Sequence, residues 1–155
     1  MEKLLKLTGR WNIQNKSDIW EGLAILTDDG WFEGIAVDPN SFYKGDRLIF
    51  GCYLQSKRVE LLKLTPMNVS HPLIFRVWGK ENNKYEGTIN VAGILSENEI
   101  GTVTIIIEEL PETDMTDLKT KLQLLKDTMD DNSKSFYYNT ITMKEIIIDA
   151  VAADV

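Results

Sequence analysis

The first 110 residues alternate apolar and polar side chains with a period of two. In the segment 4–13, apolar side chains and one glycine hold the odd positions, and polar side chains hold most of the even ones. Successive side chains of a strand point to opposite faces, so this pattern predicts a strand with one buried face and one face exposed to solvent. A chain with this pattern is expected to fold as an antiparallel sheet.

Eight such segments follow one another at short, regular spacing. They are predicted as strands over residues 4–13, 19–27, 31–37, 46–54, 58–64, 72–79, 85–95 and 100–109. Asp28-Asp29-Gly30 separates the second and third, and Asp-Gly between apolar runs predicts a hairpin turn in which both residues have positive φ. Asn82-Asn83 is predicted as a two-residue turn between the sixth and seventh, because Asn tolerates the left-handed conformation.

No helix-length amphipathic segment interrupts these strands, so parallel βαβ units are not expected. We predict a mainly β fold, in which residues 1–110 form an antiparallel eight-stranded meander barrel or pack as a sandwich. Closure into a barrel is favoured because it removes exposed sheet edges. The segments 58–64 and 99–107 are apolar on both faces, which indicates that part of the barrel exterior is covered.

Residues 111–155 are predicted to form a helical extension of one or two helices that packs on the barrel within the same domain. Apolar residues recur at steps of three and four from Met115 to Met129, which predicts an amphipathic helix over 114–129. Residues 130–135 are predicted as a polar loop. Thr142 and Glu145 match a capping box ahead of a second helix. The β-branched residues of 136–148 also fit strands, and that alternative stays open here.

Composition and charge argue against several classes of protein. The formal charge is -7 without a dense basic run, so nucleic acid is not expected as a partner. The local basic patch of Lys57, Arg58 and Lys63 is predicted as a solvated strand face beside a turn. No segment has the roughly 18 apolar residues of a membrane span, and none resembles a signal peptide, so we expect a cytoplasmic protein without membrane contact. The single cysteine, Cys52, is predicted to be a buried apolar residue.

Motifs for metal, nucleotide or nucleophilic chemistry are not found. One His and one Cys are too few for a zinc site, and neither glycine-rich phosphate motif occurs. His71, a lone imidazole before a proline, is predicted as a surface or hydrogen-bonded residue rather than a general base. We expect no metal site and no cofactor.

The predicted sixth and seventh strands contain several of the candidate ligand-binding residues. With Asn82-Asn83 as a two-residue turn, Trp78 is opposite Gly87, on the same face as Arg76 and Tyr85. An aromatic ring beside a glycine either fills a cross-strand gap or borders a ligand.

A buried Arg76 requires an anionic partner, which is either a ligand carboxylate or a structural glutamate such as Glu33 or Glu86. The residues predicted to face the barrel interior and contact a ligand are Trp11, Phe32, Arg76, Trp78, Tyr85 and Thr104.

Two segments resemble a known superfamily. Gly9-Arg10-Trp11, followed by a meander, resembles the G-x-W opening of the calycins, which include lipocalins, fatty-acid-binding proteins and avidins. The segment 29–34 resembles the D-G-x-[FL]-x-G hairpin of avidin-like barrels. The resemblance covers residues 9–40 and implies a calycin-like barrel, whereas function does not follow from fold.

Three functional hypotheses follow. The first is a noncatalytic barrel that binds a small apolar or anionic molecule or serves as a scaffold. The second is an interaction protein whose C-terminal apolar stripe forms a homodimer or docks a partner. The third is a calycin-like decarboxylase or isomerase that uses interior Glu, Tyr and Arg side chains.

Overall fold

Eight antiparallel strands form a closed barrel in which each strand pairs with its sequence neighbours and the last pairs with the first. The computed structural model describes residues 1–37, 45–65, 72–92, 97–111 and 114–154. The predicted eight-stranded antiparallel meander barrel with C-terminal helices is confirmed. The strands are β1 (Lys3–Ile13), β2 (Lys16–Leu26), β3 (Trp31–Val37), β4 (Asp46–Tyr53), β5 (Val59–Leu64), β6 (Leu73–Gly79), β7 (Lys84–Ala92) and β8 (Glu97–Leu110).

Side chains from the inward face of every strand fill the barrel interior. The largest is Trp20, which is fully buried and whose ring centroid lies 5.9 Å from that of Phe75. Its indole lies over Gly9, where a Cβ would come within 2.2 Å of Trp20 Cε2. The glycine of the G-x-W motif therefore makes room for an aromatic ring from the neighbouring strand.

Three helices cover part of the barrel exterior: α1 (Thr116–Asp127), α2 (Asp131–Thr142) and α3 (Lys144–Ala152). Together with the outward side chains of β3 to β6 they form a second hydrophobic cluster, here called the outer core. Its buried members are Trp31, Ile35, Leu48, Phe50, Cys52, Leu62, Leu64, Ile74, Leu122, Met129, Tyr137 and Val151. The two-sided apolar pattern of 58–64 is explained by this cover. The outer face of β8 differs, because Ile106 is 38% exposed there.

The boundary between the first two helices differs from the prediction. Asp130 is the N-cap of α2, and its Oδ1 accepts a hydrogen bond from the Ser133 N–H at 2.8 Å. The predicted polar loop over 130–135 is therefore wrong, because Asp130 caps a helix that begins at the next residue. Residues 136–142 are helical and not a strand. The predicted capping box is also wrong, since Thr142 Oγ1 donates to the Asn139 carbonyl and α3 begins after Met143.

The β2–β3 turn also departs from its prediction. The Gly30 N–H donates to the Thr27 carbonyl at 3.1 Å, and the Thr27 N–H donates to the Trp31 carbonyl at 2.8 Å. The loop thus has three residues, and of these only Gly30 has positive φ. A three-residue hairpin needs the left-handed conformation at its last position, whereas a two-residue turn needs it twice. The two-residue β1–β2 turn, Gln14-Asn15, does have positive φ at both positions.

An ion pair ties the first turn of α3 to the β2–β3 turn. Lys144 Nζ lies 2.8 Å from Asp29 Oδ2 and 6.0 Å from the centroid of the Trp31 ring. The hydrogen bond from Lys144 is the main cause that lowers the pKa of Asp29 to about 2, and the Thr27 hydroxyl contributes further. The pair connects the helices to the barrel outside the outer core.

We expect Lys144→Met to raise the pKa of Asp29 from about 2 toward its ordinary value of 3.8. Because folding lowers this pKa, ionised Asp29 stabilises the fold above about pH 4, and the contribution is lost as the pH falls from about 4 to about 2. The Asp29 side chain is about half exposed, so the contribution is below about 1 kcal/mol. A ¹³C NMR titration of the aspartate carboxyls measures it. An unchanged Asp29 pKa in Lys144→Met, or an equal rise in the control Lys119→Met, would contradict the assignment.

Candidate functional site

The β6–β7 hairpin decides where the predicted site residues lie. Its loop comprises residues 81–83, one more than predicted, and Asn82 and Asn83 both have positive φ. Trp78 is therefore opposite Glu86, and Arg76 is opposite Thr88. The predicted register is wrong by one residue, and a one-residue slip moves a side chain to the other face of a sheet.

Trp11, Phe32 and Tyr85 lie on the inward face. Phe32 is buried in the interior cluster, and Trp11 is partly buried against it. Tyr85 is buried at the end of the barrel, where its hydroxyl donates to that of Tyr53 at 3.4 Å and the two rings meet edge-on. These aromatic side chains help to fill the interior, so the barrel is a packed scaffold at these positions.

Arg76 lies on the outer face, contrary to prediction. Its Nε donates to Glu60 Oε1 at 3.0 Å, and its Nη2 donates to Glu97 Oε1 at 2.7 Å. The hydrogen bond to Glu97 is the main cause that raises the pKa of Arg76, and the same contact lowers the pKa of Glu97. The anionic partners of Arg76 are therefore these two carboxylates, and not Glu33 or Glu86 as the sequence had suggested.

Thr104 and Trp78 also lie on the outer face. Thr104 is half-buried, between Arg10 on β1 and Glu86 on β7, and Glu86 is in turn opposite Trp78. The predicted inward orientation of both residues is wrong, because their strands point odd-numbered residues inward. The six candidates therefore do not form one interior site.

Trp78 and Tyr85 nevertheless border the same cavity. It lies at the barrel end formed by the β4–β5 and β6–β7 turns and has a volume of about 410 Å³, a size typical of small-molecule sites. We call it the rim cleft. Its lining residues are Gln55, Ser56, Lys57, Arg58, Trp78, Gly79, Lys80, Asn83, Tyr85 and Asp154.

Two hairpin turns position the polar side chains of the rim cleft. In the first, Ser56 has φ of 70° and the Lys57 N–H donates to the Leu54 carbonyl at 3.0 Å. In the second, the Lys80 N–H donates to the Lys84 carbonyl at 2.6 Å. Since β5 and β6 pair between them, the two turns lie at the same end of the barrel.

The rim cleft is positively charged in an acidic protein. Its lining carries three cationic side chains, Lys57, Arg58 and Lys80, and one carboxylate, Asp154, whereas the whole chain has a net charge of -7. Arg58 also forms an ion pair with Glu60 outside the lining. Lys57 and Lys80 therefore supply the cations that no carboxylate of the described lining residues contacts. Lys57 and Arg58 are half-buried, so their charges are only partly screened by solvent. Such a site attracts small anions.

Trp78 supplies an accessible aromatic surface beside these cations. Its side chain is 44% exposed, whereas Trp20 and Trp31 are buried in the two cores. An exposed indole offers a flat apolar face on which a planar group can stack. The rim cleft thus combines a surface for a ring with groups that bind an anion.

Two other cavities, each of about 370 Å³, follow α1 along the barrel exterior. In one of them Glu33 forms an ion pair with Lys126 and accepts a hydrogen bond from the Tyr137 hydroxyl at 2.6 Å. These charged groups bind each other and fasten the helices to β3. The other is lined by two lysines and two carboxylates, so its charges balance.

Two cationic residues of the rim cleft stand out in the sequence, but no site is predicted there. The sequence predicts Lys57 and Arg58 on a solvated strand face beside a turn. They do lie at a turn, but both are half-buried and line a cavity with Trp78. No local sequence pattern marks Asp154 as part of a site, because its contact is with Lys57, 97 positions away in the chain. A contact at that separation is set by the packing of α3 and not by any local pattern.

Two single-residue predictions can be compared with the structure. Cys52 is buried in the outer core, as predicted, and burial raises the pKa of its thiol to about 11. Lys63 is not on a solvated face: it is 6% exposed, and its Nζ lies 5.1 Å from the centroid of the Trp20 ring. It follows Val59 and Leu61 at alternate positions on the inward face of β5.

The apolar stripe of α1 lies against the barrel. Leu122 and Met129 are buried in the outer core, and Leu118 and Leu125 pack on it. The homodimer hypothesis relied on this stripe, so a homodimer would have to use other residues. The exposed large apolar side chains of the helical region are Leu124, Tyr138, Met143 and Ile146.

Comparisons with protein-family models, curated proteins and solved structures found no match for this chain. Among the described residues, no three His, Cys, Asp or Glu side chains form a group that could hold a metal ion. In the same part of the chain, no helix has both the length and the apolar character needed to cross a membrane. His71 lies outside the described residues.

Proposed function

We propose that this chain is a noncatalytic, calycin-like barrel that binds a small anionic molecule with a planar ring in the rim cleft. The observation that carries the proposal is the clustering of three cations around the exposed Trp78 in a protein whose net charge is -7. The site differs from the interior site expected from the sequence. The packed interior serves as the scaffold that holds two turns in place.

Each part of the rim cleft has a role in this proposal. Lys57, Arg58 and Lys80 bind the anionic group through charge-assisted hydrogen bonds, which are about twice as strong as neutral ones. The Trp78 indole stacks on the ring of the ligand. Asn83, at the edge of the cleft, supplies a neutral donor and acceptor. Because the site opens to solvent, binding weakens as the salt concentration rises.

We expect the protein to bind 1-naphthalenesulfonate more tightly than the neutral 1-naphthalenemethanol, and Trp78→Ala to weaken binding of the sulfonate about tenfold or more. Loss of a stacking ring costs about 1–3 kcal/mol, which is about fivefold to 150-fold in affinity, and tenfold corresponds to about 1.4 kcal/mol. Isothermal titration calorimetry at low and high salt measures both preferences.

Lys84→Ala is the matched control, because Lys84 is exposed on β7 outside the cleft lining and pairs with Glu86. It should bind the sulfonate as the wild type does. Equal affinity for the charged and neutral probes, or full binding by Trp78→Ala, would refute the proposal.

A further inference from the structure

We infer that the carboxylate of Asp154 is an internal competitor in the rim cleft, placed where the anionic group of a ligand binds. The inference rests on the proposed function of the cleft and adds its regulation and the kind of anion that it takes. A monoanion of carboxylate or sulfonate size on an aromatic ring is the ligand class that matches this internal group.

Asp154 contacts two of the three cations of the cleft. Its backbone carbonyl accepts a hydrogen bond from Lys57 Nζ at 2.8 Å, and its Oδ1 lies 3.9 Å from Arg58 Nε. The other side of the Arg58 guanidinium, at Nη1, is paired with Glu60. The Arg58 side chain is 16% exposed and that of Asp154 is 30% exposed, so the pair is partly shielded from solvent. The end of α3 thereby brings a negative charge into a cavity that is otherwise lined by cations and neutral groups.

The position of Asp154 is unfavourable by local criteria. It follows the last residues of α3, and its N–H donates to the Val151 carbonyl at 3.1 Å. The C-terminal end of a helix carries partial negative charge, so an acidic residue is disfavoured there and a cation is favoured. Lys57 and Arg58, which come from a distant turn, offset this repulsion.

A ligand anion in the cleft has to share these cations with Asp154 or displace its carboxylate. Either event costs free energy, because two like charges then lie close together or the carboxylate loses its partner. The carboxylate therefore lowers the affinity for anionic ligands and has no such effect on neutral ones.

The test is Asp154→Asn, which removes the charge and keeps both the side-chain shape and the backbone carbonyl that Lys57 contacts. We expect the dissociation constant for 1-naphthalenesulfonate to fall about threefold to fivefold, the factor typical of a partly exposed ion pair. The value for 1-naphthalenemethanol should stay unchanged. Asp154→Glu, which keeps the charge, should bind as the wild type does.

Asp149→Asn is the charge-matched control, because Asp149 is exposed on α3 and is not part of the cleft lining. Its affinity should change less than twofold. Unchanged or weaker sulfonate binding by Asp154→Asn, with Trp78→Ala still defective, would overturn the competition and leave the proposed site intact. No sulfonate binding by any of these proteins, each shown to be folded by its thermal midpoint, would overturn both.

Discussion

Gly87→Ala is expected to lower the free energy of unfolding by about 3 kcal/mol or more. Gly87 lies on the inward face of β7 opposite Val77, and a Cβ there would come within 1.8 Å of the Arg76 carbonyl oxygen. A contact with backbone cannot be relieved by a change of rotamer. The two strands would have to separate, which strains the hydrogen bonds that close the barrel.

Gly79→Ala, on the partner strand β6, is the control. The nearest atom to a Cβ there is Tyr85 Cε1 at 3.5 Å, an ordinary van der Waals distance. We expect its free energy of unfolding to remain within about 0.5 kcal/mol of the wild type. Urea denaturation of the three proteins compares them. Equal midpoints for Gly87→Ala and the wild type would show that the strands tolerate a side chain at this position.

Phe50→Ala is expected to lower the free energy of unfolding by about 3–5 kcal/mol and to loosen the helices before the barrel. Phe50 is fully buried on the outward face of β4, and its ring meets that of Tyr137 edge-on with centroids 5.2 Å apart. Truncation leaves a cavity in the outer core, which is the main contact between α1 to α3 and the strands. Helix docking depends on this core, whereas the interior cluster does not include Phe50.

Native-state hydrogen exchange distinguishes these two effects. In Phe50→Ala the amides of α1 to α3 should lose protection while those of β1 and β8 keep it. Tyr138→Ala is the control, because that side chain is 56% exposed and should contribute less than about 0.5 kcal/mol. Equal loss of protection in helices and barrel would mean that the two cores unfold as one unit.

The strands and their order were predictable because each depends on local information. Alternation marks the buried face of β1, and a turn residue with positive φ marks the β2–β3 connection. It was also predictable that the outer face of 58–64 is covered, because both faces of that segment are apolar. Side-chain period and turn chemistry act over a few residues, so they are visible without coordinates.

The amino-acid sequence alone thus determined the antiparallel barrel and the presence of a helical cover. Tertiary structure decided the face on which Arg76 and Trp78 lie, because two left-handed asparagines fit a loop of either two or three residues. It also decided that Asp154 meets Lys57, since only the docking of α3 brings those distant positions together. A fold follows from many local preferences that agree, whereas a binding site depends on single register steps and long-range contacts that no local pattern encodes.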